Sequence, residues 1–539
     1  MKNLPAPTWI LALALACLTA AWIALRLPTA AQALLETDGG HQLAGALQIL
    51  HGEHPFVDFE ATYGPLTFYA SALAQVVFGQ RFIGEIILNV MGYALAYALL
   101  AVLIYRLTGK AWLALLFGAL AVLLLPRLYK YYIVLGPVLT VWFAWEYIQK
   151  PRLRNIFWLA LAVLFAGLFR SDFGVYCTLA ATVVLALQPA STGWLRRVFT
   201  LWGLIFLMAL PWLLFLAFRG GLDNYFGDML VGGPNIASGM SLPFPTFQPD
   251  QPIFARHNLR VIATIFFFCF PSISLVFLLA RWKFVDSKER ALLLAATVLY
   301  ALSLLQAANR VDYPHVVQTI PLAFLLAAWM ANRLSQEGLW PFKSWDKLVY
   351  LGCLLGLGLS VAVFLYLERQ SSWPAISLRD IPQKIQDYTL PKEALLGRAS
   401  RGGNNWYVET MQYIRRCTSA SQYLVALPAL TTFPYFTDRS FGGGQIGLAP
   451  GYFSTPADQQ RMIHKMQAQD IPLIVSLPDF AFDRMPERRL AATAPMVVAY
   501  LEANYREIKK EGPASLLLRR DLAVERRSGK LKDFSCPVP

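Results

Sequence analysis

Apolar residues recur in eleven blocks along the chain, near residues 9–25, 82–105, 111–125, 131–148, 155–169, 173–187, 198–218, 259–280, 291–306, 316–332 and 348–367. Blocks of roughly 17–24 residues have the length that carries an α-helix across a hydrocarbon core of ~30 Å, at ~1.5 Å per residue. Core helices of a soluble protein would be shorter and amphipathic. The pattern therefore predicts a polytopic α-helical membrane protein with about 11 spans, occupying residues 1–368. Beyond residue 368 the pattern changes. Short β-like runs at 423–428, 472–478 and 514–519 alternate with helical stretches at 456–469 and 487–505, which predicts a C-terminal soluble α/β domain over 369–539 with a partly parallel sheet. Between the first two spans, Leu43, Leu47 and Leu50 make one apolar stripe in 40–51, and 66–78 is too short to span. Both are expected as interfacial helices in the first external loop.

Composition agrees with lipid as the main solvent. Of 539 residues, 56% are hydrophobic and 15% charged, and the mean hydropathy is +0.46, too apolar for a soluble protein of this length. The first block follows Lys2 but precedes no small-residue cleavage site with a soluble mature domain, so it is read as a retained span. A net charge of +14 would suggest nucleic acid in a soluble chain; here the bases sit largely in short loops, and no nucleic acid partner is expected. One set of alternate loops, from Lys2 through Arg106, Arg152, Arg196 and Lys283 to Lys347, holds about 15 Lys and Arg. The other holds about nine over longer loops. The basic set marks the cytoplasm, which places the N-terminus inside, the C-terminal domain outside and the protein in the inner (cytoplasmic) membrane, with the domain periplasmic or external. Cys17, Cys177, Cys269 and Cys353 fall within apolar blocks as small hydrophobes. Cys417 and Cys536, in the external part, are expected to form a disulfide.

Three external loops carry chemistry. The first reads Glu36-Thr37-Asp38-Gly39-Gly40-His41 and continues through Glu53, His54 and Asp58 to Tyr63-Gly64-Pro65. A carboxylate at the lipid–water boundary beside a glycine turn suits a general base for an acceptor hydroxyl; the plainer reading is a solvated loop in which Asp38 caps a helix. The second is Arg170-Ser171-Asp172 within the apolar stretch 156–187, which at roughly 48 Å is too long for one span. A hairpin with those charges at its outer tip is cheaper than charges at mid-membrane, where each would cost roughly 2.5–3.5 kcal/mol. The third, Asn309-Arg310-Val311-Asp312-Tyr313-Pro314-His315, sets a guanidinium and an imidazole beside a proline-fixed turn, and the planar fork of Arg suits phosphate. Arg127 and Lys130 are weaker candidates for the same role, with membrane topology the commoner explanation of such bases. All three loops share one side of the membrane under a topology fixed by other residues.

The runs Asp38-Gly39, Leu50-His51-Gly52-Glu53-His54-Pro55-Phe56-Val57-Asp58-Phe59 and Tyr63-Gly64-Pro65 resemble the first external loop of bacterial membrane glycosyltransferases of the C superfamily, relatives of protein mannosyltransferases and aminoarabinose transferases. Residues 167–174 and 310–315 resemble later motifs of these polyprenyl-phosphate-sugar enzymes. The likeness covers the membrane portion and only loosely the tail. It implies inverting transfer of a sugar from a polyprenyl-phosphate carrier to a glycan, lipid or protein acceptor of the envelope, with membrane lipid as its surroundings. Asp38 stands in the place of the family's catalytic acid. Glu36 and Asp38 are spaced one residue apart where the family more often has an adjacent pair, so the choice of base between them stays open. This ExD spacing also resembles metal-binding versions, which keeps a divalent metal open; none is assigned, because no His/Asp/Glu set has diagnostic ligand spacing. The mechanism expected is one displacement in which Asp38 takes the acceptor proton and Arg310 with Arg170 or His315 stabilises the departing phosphate, Asp172 orienting one of those bases. Two other readings are a transporter or flippase for lipid-linked sugars, and a non-catalytic envelope-assembly protein. The first would need polar groups near the bilayer midplane, where the spans are poor in charge.

Overall fold

In a computed structural model the chain is described over residues 6–34, 37–188, 193–337, 345–372, 378–400, 405–527 and 534–538. It is mostly helical, with a small mixed sheet near the C-terminus. A helix covers each of the eleven apolar blocks. Among the described residues six of these are long and apolar enough to cross a membrane: Thr8–Arg26, Phe82–Thr108, Leu128–Gln149, Trp194–Arg219, Arg256–Ala280 and Ser287–Ala308. Ala111–Leu123, Leu153–Phe169 and Ser171–Leu187 are apolar but shorter, with 13, 17 and 17 residues, or ~20–26 Å of rise. Their lengths are set by punctuation that hydropathy does not register: Leu125-Pro126 follows the first, and Arg170 in extended conformation divides the other two.

The chain divides into two compact units. One comprises Met1–Arg26, Asn89–Trp212 and Leu242–Ser377, and holds most of the long apolar helices. Leu153–Phe169 packs on Ser171–Leu187 through glycine: a Cβ added at Gly174 would stand 2.6 Å from the Gly167 Cα. Such close approach is the usual way helices associate in lipid, where there is no hydrophobic force between them. At one end of this bundle two bases are paired with acids. Arg106 pairs with Glu146 at 2.5 Å and Arg333 with Glu289 at 2.6 Å. The other end gathers the residues after Ala6–Arg26, before Tyr131–Gln149, between Leu153–Phe169 and Ser171–Leu187, and after Ser287–Ala308. Arg26 Nη1 donates to the Leu125 carbonyl (3.2 Å), Tyr93 Oη to that of Arg127 (2.7 Å), and the Leu242 amide to that of Asn309 (3.2 Å).

The second unit comprises Leu27–Leu88, Leu213–Ser241 and Leu378–Pro539. Its sheet runs β1 (Val425–Leu427), β2 (Leu473–Ser476), β4 (Ala514–Arg519), β3 (Tyr505–Glu511). β1 and β2 are parallel, and the other two pairs antiparallel. β2 reads Leu-Ile-Val-Ser and is buried along its length, whereas β3, at the edge, reads Tyr-Arg-Glu-Ile-Lys-Lys-Glu and exposes its charges, which discourages further pairing. The helix expected over 456–469 forms as Pro456–Ala468, opened by a capping box between Thr455 and Asp458. That expected over 487–505 is broken: Ala494, before Pro495, leaves the helical region, and Pro495–Asn504 starts anew. Cys417 and Cys536 are disulfide-bonded, and a two-stranded hairpin of β5 (Ala523–Arg527) and β6 (Phe534–Val538) follows the sheet.

Leu378–Pro539 is thus joined in its unit by two earlier segments, Leu27–Leu88 and Leu213–Ser241, while 369–377, expected with the C-terminal domain, fall in the first unit. The Glu60 amide donates to the Gly444 carbonyl (2.9 Å), Lys465 Nζ to that of Asp58 (2.9 Å), and Arg488 Nη2 to that of Ser241 (2.7 Å). The stretch expected as the first interfacial helix, 40–51, is corrected by this packing. Thr37–Leu50 is buried nearly all round, because Gly45 admits the Phe68 ring on one side and Gly40 meets Thr431 and Thr432 on another. Pro65–Val77 does show two faces. Phe68, Ser71 and Gln75 are buried, and Leu73, Val76 and Val77 are exposed.

Candidate anion-binding site

Three turns of the first unit come together at the end opposite Arg106 and Arg333. The turn after Ser287–Ala308 is ordered by Asp312, which caps the short Tyr313–Val317 helix by accepting the His315 amide (3.1 Å), with Pro314 fixing the first helical turn. The same carboxylate binds two further side chains. Oδ2 accepts Arg310 Nε at 2.9 Å, and Oδ1 accepts His315 Nδ1 at 2.5 Å. A carboxylate only accepts, so His315 carries its proton on Nδ1, and Nε2 presents a lone pair.

The turn before Tyr131–Gln149 supplies Arg127 and Lys130. Arg127 Nη1 donates to Tyr129 Oη (3.2 Å), and Lys130, buried, has its ammonium 5.4 Å from the centre of the Tyr129 ring. Both cations lie near enough to His315 to act on its titration. Burial lowers the imidazole pKa, the Asp312 hydrogen bond partly opposes this, and the Lys130 and Arg127 charges push it down again, to about 4. His315 is neutral at neutral pH. For Asp312, burial alone would raise the carboxyl, but the His315 hydrogen bonds and the Arg127 charge hold it well below the usual carboxylate range.

The hairpin between Leu153–Phe169 and Ser171–Leu187 supplies the third turn. Arg170 Nε donates to Asp172 Oδ1 at 2.8 Å, and the same oxygen accepts the Phe173 amide. Phe169 stacks on Tyr132 at 5.0 Å and meets Tyr131 edge-on at 5.6 Å, which sets this turn beside the one that carries Lys130. Gly92 makes room for Tyr131, whose ring would lie 2.1 Å from an added Cβ. The three turns hold Arg127, Lys130, Arg170 and Arg310, a neutral His315 and two carboxylates (Asp172, Asp312). Cations and carboxylates thus converge in partly buried surroundings, a setting that suits an anionic group.

The sequence-predicted residues Arg127, Lys130, Arg170, Asp172, Arg310 and His315 are therefore brought together. Asp38 lies at the second position of Thr37–Leu50, in the other unit, with its side chain outside the described residues, as is the whole of Glu36. Sequence reasoning missed Asp312 as the group that holds Arg310 and His315. The signal was present as Arg-x-Asp followed two residues later by proline. It also undervalued Lys130, whose place in the run Tyr129-Lys130-Tyr131-Tyr132 signals an aromatic-lined cation. A separate cluster in the second unit was missed altogether. Buried Glu60 faces Arg461 at 3.5 Å, and Asp228 lies nearby. Burial, with the Glu60 charge, raises the Asp228 carboxyl to about 8. Among the described residues no three His, Cys, Asp or Glu side chains stand close enough to hold a metal ion.

Comparison with models of known protein families gives no match, and comparison with curated proteins gives none either. The resemblance to membrane glycosyltransferases rests on the motifs within residues 38–65, 167–174 and 310–315.

Proposed function

We propose that the chain crosses the cytoplasmic membrane eleven times and transfers a sugar from a polyprenyl-phosphate carrier to an envelope acceptor at the outer face. The observation that carries this reading is the convergence of Arg127, Lys130, Arg170 and Arg310 on one end of the first unit, away from the acid-paired bases Arg106 and Arg333. Cytoplasmic retention of basic loops puts the acid-paired end inside and the four cations outside. Helices of 17 residues span with modest local thinning of the bilayer, which supports counting the shorter apolar helices among the spans.

In this mechanism the acceptor O–H proton goes to a first-loop carboxylate, Asp38 or Glu36. The hydroxyl oxygen bonds to the anomeric carbon, and the carbon–oxygen bond to phosphate breaks with its electron pair on the phosphate, inverting the centre. With Nδ1–H directed to Asp312, neutral His315 has no proton on Nε2 to offer the phosphate. Support for the departing charge then falls to Arg310, Lys130, Arg127 and Arg170. Purified protein supplied with a polyprenyl-phosphate sugar tests this. Lys130→Met and Arg310→Lys should each lower turnover by about 10²-fold or more if they meet developing charge, and Asp38→Asn by roughly 10²–10⁴-fold. Near-normal turnover by Asp38→Asn and Glu36→Gln alike would retire the mechanism. Transport of the lipid-linked sugar without any transferred product would favour the flippase.

A further inference from the structure

Arg197, in the fourth position of the Trp194–Arg219 helix, is 6% exposed, and its Nε and Nη1 have no hydrogen-bond partner among the described residues. A guanidinium offers five N–H donors in a fixed fork and no acceptor, so its unmet need is for an acceptor. Gln188, just beyond Ser171–Leu187, is 7% exposed with its amide Nε2 likewise unpartnered. The two stand at one level. Trp202 Nε1 donates to Thr182 Oγ1 at 3.1 Å. From that bond Arg197 lies five residues back along one helix and Gln188 six residues on along the other, ~7.5 and ~9 Å toward the same end. In a helix the Arg197 side chain leans toward the N-terminus, where the opening backbone N–H groups have no partner within the helix. Donors are therefore offered at this level by Arg197 and the helix start, and by Gln188 just past the end of the neighbouring helix.

We propose that Arg197, Gln188 and the first turn of Trp194–Arg219 bind a phosphate oxyanion, and that its source is the headgroup of an anionic phospholipid. The outer surface supports the lipid source: Trp194, Leu195, Phe199 and Trp202 are exposed, an apolar flank with tryptophans where a membrane interface would lie. The site is independent of the sugar-transfer reading. It stands roughly 25 Å along Ser171–Leu187 from Arg170, by that helix's 17 residues.

The test is native mass spectrometry of the full-length purified protein titrated with phosphatidylglycerol, with phosphatidylcholine as the zwitterionic control and inorganic phosphate as competitor. The wild type should retain one phosphatidylglycerol that phosphatidylcholine does not replace. Arg197→Met should weaken it at least about tenfold, since hydrogen bonds to a charged partner are the stronger kind, and Arg197→Lys should fall between, a point charge replacing a fork. Gln188→Leu, which leaves the charge in place, should weaken it by a smaller factor and keeps the test open if Arg197→Met fails to fold. Equal phosphatidylglycerol retention by the wild type and both variants overturns the site. Displacement of the lipid by millimolar inorganic phosphate, with phosphate binding lost in Arg197→Met, overturns the headgroup as source while assigning the site to free phosphate.

Discussion

Two Arg-x-Asp turns of similar sequence, Arg170-Ser171-Asp172 and Arg310-Val311-Asp312, should respond very differently to loss of their carboxylate. The Asp312 side chain is 15% exposed and holds both Arg310 and His315, whereas that of Asp172 is 29% exposed and holds Arg170 alone among side chains. Asp312→Asn keeps an oxygen that can cap Tyr313–Val317. It loses the charge that Arg310 faces at 2.9 Å and weakens the bond to His315. A hydrogen bond to a charged group is worth about 1.5–3 kcal/mol, and breaking a fully buried pair costs about 3–5 kcal/mol, so with this partial exposure a loss of about 3 kcal/mol is expected. Asp172→Asn should cost about 1 kcal/mol or less, because its pair is closer to the solvent-screened kind. Both residues lie in the same unit, which makes the comparison direct. Unfolding of purified variants by sodium dodecyl sulfate in mixed micelles, followed by tryptophan fluorescence, reads the difference. Asp312→Asn no less stable than Asp172→Asn would refute the view that Asp312 organises this end of the bundle.

Acid should loosen the same end. His315 titrates near 4 when folded and near its ordinary 6.5 when unfolded. The unfolded chain therefore binds more protons between those values, and up to about 3 kcal/mol of stability should drain away as pH falls from 6.5 to about 4; His315→Gln should flatten that slope in the same micelle assay. In the second unit the sign reverses. Asp228, raised from 3.8 to about 8, is protonated in the folded state where the unfolded chain has lost the proton, so stability falls as pH rises through that window. Because Asp228 Oδ2 is buried without a partner among the described residues, Asp228→Asn should stabilise the protein at pH 8 by ~1–3 kcal/mol; unchanged stability at pH 8 would speak against it. Gly174→Val should cost at least ~1–3 kcal/mol through the clash with Gly167, and a second substitution at Gly167 should not rescue it, in contrast to the near-neutral change expected at Gly193, where an added Cβ meets nothing.

The long apolar helices, six of them long enough to cross a membrane among the described residues, are legible in the sequence because a run of uncharged residues is a strong, local signal that needs no partner to be recognised. Helix ends are less so. Ala111–Leu123 stops at 13 residues ahead of the Leu125-Pro126 step, and the break at Ala494 depends on Pro495. Least legible is the makeup of the second unit. Contacts such as Glu60 with Gly444 and Lys465 with Asp58 join residues several hundred positions apart, and no periodicity in either segment announces them. The helix at 37–50 shows the cost. Its leucine stripe reads as amphipathic, yet Gly40 and Gly45 let neighbours approach on further faces, and a glycine looks the same in sequence whether it opens space or merely bends the chain.

The candidate site divides along the same line. Arg310 and His315 stand out because proline fixes their turn, and Arg170 because it interrupts an apolar stretch. Lys130 does not, since a lysine near a helix start is ordinary in a membrane protein and only its buried position beside His315 separates it from a topological marker. That position supplies a physical reason for an anionic ligand that does not lean on family resemblance. At the opposite end of the same unit the bases Arg106 and Arg333 are each met by a glutamate. In the three turns Asp312 engages Arg310 and His315, and Asp172 engages Arg170. Burying the Lys130 side chain beside His315 carries a desolvation cost that a neutral residue of similar length would avoid. Lys130→Met should accordingly stabilise the ligand-free protein while weakening its hold on a phosphate-bearing lipid, and that opposition separates a binding cation from one that only packs.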